Sequence, residues 1–226
     1  MTKLIKSLKA KKIKPKRPNG SVRSPKKEEL VATRESQIAA GASNVMLKKG
    51  YHAATTREIA QECGMSMGQL YSYITSKDDI LYIVFRQMYQ VFIEHIQMSK
   101  QEKAKDPVDR LRKALFYTLK FTGSQRKFIQ LLFTESRHLD KPHLDEILDM
   151  DKKFILTFWR EMLSEFDLFK TSEKDLDFAA SVVHYLLVFL PLRSWTVADR
   201  PLEENINSLI EFILRGLGLT GAPSIK

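Results

Sequence analysis

Three hydroxyl residues, each followed three positions later by an acid or an amide, fall within 22 residues of chain: Thr55 with Glu58, Ser66 with Gln69, and Ser76 with Asp79. Each pair can cap a helix reciprocally. The hydroxyl takes the backbone N–H of the third helical residue, and the acid or amide takes the N–H of the capping residue in return. Three helix starts this close together leave room only for short helices and tight turns. Gly64 supplies the first turn, since it reaches positive φ without steric penalty and can end a helix as its C′ residue. Met65 and Ser66 then lead into a second helix, expected over roughly 67–74, and Ser76 opens a long third one.

A short helix, a turn of four residues and a second short helix make the helix-turn-helix arrangement, whose second helix enters a DNA major groove. The residue types on that second helix suit the task. Gly68 costs about 1 kcal/mol of helix stability relative to Ala, which the close approach of another molecule would explain. Gln69 matches the bidentate edge of adenine, Met67 a thymine methyl, and Ser66 and Ser72 phosphate or base; Tyr71 and Tyr73 add hydroxyls on rigid rings. Thr55 and Lys77 complete the candidate DNA-binding set. Ile59, Ala60, Leu70 and Ile74 are the apolar positions that hold the two helices together.

Those residues also carry a resemblance. Residues 34–85 are similar to the DNA-binding domain of the TetR family of bacterial transcription regulators. The shared landmarks are Gly50-Tyr51 closing a first helix, Thr55 and Ile59-Ala60 in the second, Gly64, Ser66, Gly68, Leu70, Tyr71 and Tyr73 through the turn and third, and Ser76-Lys77 with Ile80-Leu81 opening the fourth. Met46 and Ile74 stand where the family usually has Phe, and Gly41 sits inside the first helix.

The charge is distributed unevenly. Of the formal net charge of +10, residues 1–27 carry 11 Lys and Arg with no acid, while 28–80 carry 5 against 7 and 81–226 carry 21 against 20. The tail at 1–27 is expected to be disordered and to act either as a solvated extension or as an arm on phosphates. The remainder is close to neutral, so a DNA-reading domain here relies on a few placed cations, hydroxyls and helix N-termini. Cys63 is the single cysteine, which excludes an intramolecular disulfide and fits a reducing compartment. The longest apolar run, Phe178 to Leu192, is interrupted by Ser181, His184 and Pro191, and the N-terminus lacks a signal-peptide core. A soluble, cytoplasmic protein with no membrane partner is expected.

Helical periodicity runs throughout, with no strand alternation, P-loop or GxGxxG, so the fold class is all-α. A first helix spans about 28–49, and a linking helix spans 77–100 with Ile80, Leu81, Val84, Phe85, Met88, Phe92 and Ile96 on one stripe. Further helices are expected at 107–122, 125–138, 142–166, 173–195 and 203–217. The domains are then a tail (1–27), a helix-turn-helix domain (28–76) and a helical domain (77–226), to which the resemblance assigns effector binding and dimerisation. The last two helices are apolar on many sides: Phe178, Val182, Tyr185, Leu186 and Phe189 on one, Leu202, Ile206, Leu209, Ile210, Ile213 and Leu214 on the other. The resemblance implies that 173–195 and 203–217 pair across a two-fold axis as a four-helix bundle, giving a homodimer with two readers for a palindromic operator.

It also implies a pocket among the middle helices for a small, largely apolar effector, and the aromatic content of these helices points to a fatty acyl compound. The candidate lining is Phe121, Phe128, Phe133, Arg137, Phe158, Trp159 and His184. His138, Asp140, His143 and Asp145 are spaced across Pro142 and not as a helical i, i+4 pair, so no metal is expected. No nucleophile and base stand out, so neither enzymatic activity nor a cofactor is expected. The sequence reading is a DNA-binding regulator, a repressor released by its effector. A ligand-independent protein that organises DNA is the alternative.

Overall fold

The computed structural model describes residues 25–99, 106–169 and 172–219. The basic tail, and the disorder and phosphate contacts expected of it, lie outside these except for its last residues, where helix α1 begins at Pro25, about three residues earlier than the sequence suggested. The described residues are helices joined by turns, with no strand among them. They divide into two units, one running through Val91 and including Arg137–Leu144, the other comprising Phe92–Ser136 and Asp145 onward. The division falls inside the linking helix, beyond the expected boundary at 76, because the first turns of that helix supply core to the first unit.

The first unit is built from α1 (Pro25–Lys49), α2 (Thr56–Glu62), α3 (Met67–Tyr71) and the first part of α4 (Lys77–Ser99). Ile38, Ala42 and Met46 from α1 meet Ile59 and Ala60 from α2, Leu70 and Ile74 around α3, and Ile80, Leu81, Val84 and Phe85 from α4; all are buried. A fully buried side chain of this size contributes about 1.5–3 kcal/mol, so this apolar set, not helix propensity, holds such short helices in place. Leu30, near the start of α1, is 54% exposed.

Gly41 explains how closely α1 crosses the end of α2. A Cβ built at position 41 would stand 2.5 Å from Cys63 Sγ and 3.1 and 3.3 Å from the Cys63 N and Cα. Gln37 Nε2 donates to the Cys63 carbonyl beside it at 2.5 Å. Burial, with Glu62 adding to it, pushes the Cys63 thiol up to about 11, so it stays protonated. Arg86 and Glu35 form an almost buried ion pair across α4 and α1.

The second unit contains the rest of α4, α5 (Pro107–Ser124), α6 (Arg126–Glu135), most of α7 (Lys141–Met150), α8 (Thr157–Leu163), α9 (Glu173–Leu186), α10 (Phe189–Arg193) and α11 (Leu202–Gly216). Asp106 caps α5 by accepting from Asp109 N at 2.9 Å, with Pro107 where its missing N–H costs nothing. The helix expected over 142–166 is interrupted by a π-type turn at Asp151–Leu156. No single residue there breaks a helical pattern, so sequence periodicity could not reveal it.

The helix expected over 173–195 is also two helices, with a bend of 45° between them. Pro191 is the cause. It offers no N–H to the Leu187 carbonyl four residues back, and its ring crowds that carbonyl. The buried Thr122 hydroxyl of α5 donates to the Leu187 carbonyl instead, at 2.7 Å. Gln130 Nε2 donates to the Pro191 carbonyl at 3.0 Å. The bend is thus held by hydrogen bonds from α5 and α6.

On α11 the stripe Ile206, Leu209, Ile210, Ile213 and Leu214 is buried within the protomer, where α11 packs on α5. It is therefore unavailable to a partner, contrary to the expectation that the stripe faced a subunit interface. On these last helices the large apolar side chains left exposed include Phe178 (72% exposed), Val182 and Tyr185 on α9, and Leu202 and Phe212 on α11. No single helix among the described residues is long and apolar enough to cross a membrane.

Candidate nucleic-acid interface

All three reciprocal caps form. Thr55 stands at φ −98°, ψ 151°; Glu58 N donates to its Oγ1 at 3.3 Å, and Thr55 N donates to Glu58 Oε2 at 3.0 Å. Lys49 Nζ lies 2.5 Å from the other carboxylate oxygen. With Lys49 as the first cause and the Thr55 N–H and hydroxyl behind it, the Glu58 carboxyl is held down to about 2. The same carboxylate thus ties the end of α1 to the start of α2.

Gly64 leaves α2 at φ +63°. Met65 N donates to Ala60 O at 2.9 Å and Gly64 N to Gln61 O at 3.0 Å, the two bonds of a Schellman ending. Met65 and Ala60 are both buried, which supplies the apolar contact that accompanies it. Ser66 follows directly as the next cap: Gln69 N donates to its Oγ at 3.2 Å, and Ser66 N donates to Gln69 Oε1 at 2.8 Å. One residue ends the turn and its neighbour starts the reader.

The reader is shorter than its pattern suggested, ending at Tyr71 and not near Ile74. Ser72 closes it, its hydroxyl donating to Gln69 O at 2.7 Å. Asp79 then caps α4, its carboxylate accepting from Thr75 N at 2.6 Å and Ser76 N at 3.1 Å while Ser76 Oγ accepts from Asp79 N at 3.1 Å. Burial pushes the Asp79 carboxyl up, but the hydrogen bonds from Thr75 and Ser76 outweigh it and leave it below its usual range.

Of the predicted DNA-binding residues, Thr55, Ser66, Gly68, Gln69, Tyr71 and Ser72 are exposed, while Met67, Tyr73 and Lys77 are half-buried. Leu70, at 0% exposure, pins the reader to the core, so the other side chains of α3 have one outward face. A Cβ at Gly68 would meet nothing within 4 Å. The glycine therefore answers no requirement of the protein's own packing. Lys77 is partly committed: its ammonium donates to His52 O at 3.1 Å and lies 4.3 Å above the Tyr51 ring, whose hydroxyl donates to Asp78.

Sequence reasoning missed the segment Arg137–Leu144, which clusters with the reading unit. His138 stacks on Tyr51 at 5.3 Å between centroids, and His143 on Tyr82 at 4.0 Å with its Nδ1 3.0 Å from Asp140 Oδ1. The histidines weighed as metal ligands thus stack on two different aromatic partners. Only tertiary contact brings them there, and no local pattern announces it.

The residues expected around an effector are not gathered as one lining. Phe121, Phe128, Phe158 and Trp159 are buried in the second unit, Phe121 stacked on Phe92 at 5.6 Å and on His95 at 4.4 Å. Phe133 is 48% exposed. Arg137 is exposed and belongs to the reading unit. His184 lies with Nε2 3.5 Å from Asp151 Oδ1, and burial lowers its pKa against the pull of that acid.

Comparison with known proteins agrees with this geometry. Residues 38–82, from the middle of α1 to the start of α4, match the family model of bacterial regulatory proteins, tetR family. The HTH-type transcriptional regulator HbdR of Aromatoleum sp. (strain CIB) is 30% identical over 110 residues, 49% of this chain and 48% of that protein. The match thus spans about half the length of that relative. Among solved structures, the transcriptional regulator FadR from Bacillus subtilis in complex with stearoyl-CoA superposes with a TM-score of 0.63 at 22% identity, over 80% of this chain and 97% of that one. AibR in complex with isovaleryl coenzyme A and operator DNA gives 0.62 at 22%, over 80% and 97%. At such identity these two carry the fold. The matched segment, residues 38–82, lies on the capped helices and is similar to the DNA-binding domain of the tetR family of bacterial regulatory proteins, and the fold of these solved regulators continues through the second unit.

Proposed function

We propose that this protein binds double-stranded DNA sequence-specifically as a homodimer and represses transcription until an acyl effector releases it from a palindromic operator. The observation that carries the DNA-binding reading is the reader itself. It is a one-and-a-half-turn helix held at both ends by side-chain caps, with Leu70 buried beneath and Gly68, Gln69, Tyr71 and Ser72 exposed above. Such a helix has too few internal hydrogen bonds to exist alone, and its caps and anchor fix the direction of its outward groups.

Dimerisation is supported by Phe178, Val182 and Tyr185, which recur at steps of four and three along the exposed side of α9. Exposed large apolar residues at one helical spacing are what a subunit partner covers. The acyl effector is supported by the fold shared with proteins solved with stearoyl-CoA and isovaleryl coenzyme A, and by an aromatic interior around Phe158 and Trp159. Release follows if the effector binds the DNA-bound and free forms with affinities that differ by a few kcal/mol.

The test is fluorescence anisotropy of the full chain with the DNA upstream of its own gene against a scrambled duplex, at about 150 mM salt. Binding tighter by about a thousandfold to the native fragment, lost on adding stearoyl-CoA, is the expected result. Equal binding to both duplexes refutes sequence-specific regulation through that fragment. Native-fragment binding that no acyl-CoA disturbs refutes the effector.

A further inference from the structure

Trp159 has no exposed surface, and its indole Nε1–H has no hydrogen-bond partner among the described residues. An indole nitrogen donates and cannot accept, so only an acceptor satisfies it. Buried donors are paired in the great majority of cases, which makes an orphan at the centre of a core a group that calls for an explanation. Its neighbours give it none: Phe158 meets it edge-on at 4.9 Å, and Ile155 and Leu163 on the same helical face are also fully buried.

The indole lies beside an irregularity in its own helix. Trp159 lies three residues past the π-type turn at Asp151–Leu156. Such turns insert a residue and re-aim the side chains that follow, and they recur at functional sites. Helix α9 packs on both this turn and α8, and it brings His184 to Asp151 at the turn's first residue. Burial favours the neutral imidazole. An apolar interior whose spare group is a neutral N–H suits an uncharged oxygen better than a carboxylate, whose desolvation one donor does not offset.

We infer that the Trp159 indole N–H is a specificity-determining donor to a carbonyl oxygen of the effector, so that the protein selects carbonyl-bearing acyl compounds over chains that lack that oxygen. This rests on the acyl-effector reading above and adds which group of the effector is read, and by which atom. The hydrocarbon supplies affinity through buried area; the indole supplies the choice. Forming this bond costs the protein no further desolvation, since the donor is already out of water.

The experiment compares two ligands on the full-length protein. One is stearoyl-CoA. The other is its thioether analogue S-octadecyl-CoA, which keeps the chain, sulfur and nucleotide and lacks only the carbonyl. Calorimetry gives the affinities. The indole Nε1–H resonance, assigned by comparison with Trp195→Phe, reports on Trp159 in the 15N-labelled protein. The expected result is about tenfold tighter binding of stearoyl-CoA, with the Trp159 resonance moving downfield for that ligand alone. Trp159→Phe then binds the two ligands equally, with thioether affinity as in the wild type.

Equal affinities in the wild type, or a resonance that stearoyl-CoA leaves in place because a buried water already holds the N–H, overturn the inference and leave the acyl effector standing. Failure of both ligands to bind overturns the acyl-effector reading and the inference together. Should Trp159→Phe not fold, the two wild-type affinities and the resonance decide without it.

Discussion

Gly41→Ala is a small change with a calculable effect. The added Cβ would stand 2.5 Å from Cys63 Sγ, where unstrained heavy atoms sit about 3.5–4.0 Å apart. The overlap of about 1 Å falls on a short, buried side chain, and the Cys63 N and Cα at 3.1 and 3.3 Å stop the methyl from moving aside. Overpacking of this kind costs about 1–3 kcal/mol. Against it stands about 1 kcal/mol gained by replacing a mid-helix glycine with alanine. With three atoms inside 3.4 Å the cost falls in the upper part of that range, about 2–3 kcal/mol, so the clash should win by roughly 1–2 kcal/mol. Urea denaturation at one fixed protein concentration should show it as a lower midpoint with unchanged slope. Cys63→Ala removes the 2.5 Å contact and leaves the two backbone ones, so the double variant should recover about 1 kcal/mol relative to additivity. A Gly41→Ala protein as stable as the wild type, or more so, would refute the close crossing of α1 over α2.

The same substitution at Gly68 should act oppositely on stability, raising it by up to about 1 kcal/mol because the space above is open, while weakening operator binding by about tenfold or more; undiminished affinity removes Gly68 as a point of approach. Thr122→Val should cost about 1–3 kcal/mol by leaving the Leu187 carbonyl without its donor, and Pro191→Ala on that background should restore part of it by returning a backbone N–H; thermal melts of the three proteins decide. The Glu58 carboxyl titrates near 4.5 when unfolded and at about 2 when folded. Its contribution is therefore fully present above about 4.5 and lost as pH falls toward 2. A stability–pH profile over that window should be flatter in Glu58→Gln, and an unaltered slope would argue against the Lys49–Glu58–Thr55 tie.

What the sequence made legible was local. A hydroxyl and an acid three residues apart satisfy each other through backbone geometry alone, so Thr55, Ser66 and Ser76 could be read as caps without knowing what surrounds them. Gly64 was readable for the same reason, since its positive φ is a property of one residue. Pro191 carried an equally local signal for the bend, and the apolar run around it masked that signal. The site residues that went astray depend on tertiary choice. Phe133 and Phe128 look alike in a helical pattern, yet one is exposed and the other buried according to which way α6 turns. The apolar side of α11 could have faced a partner or its own protomer, and periodicity is the same in both cases. His138 and His143 take their meaning from Tyr51 and Tyr82, 87 and 61 residues away in sequence.

The cap on the reader has one more consequence, for base choice. Gln69 spends its Oε1 on Ser66 N. A glutamine held this way offers the groove its two amide hydrogens freely, while its oxygen, fixed by the cap, keeps one lone pair to share. Adenine's major-groove edge asks for a donor and an acceptor, so pairing there must share the capping oxygen or give up the cap at the start of α3. Guanine, with N7 and O6, and thymine, with O4, ask only for donors. In the proposed complex with DNA, the bond that keeps this helix intact would therefore favour guanine or thymine opposite Gln69, making a helix-stabilising bond a filter on the operator.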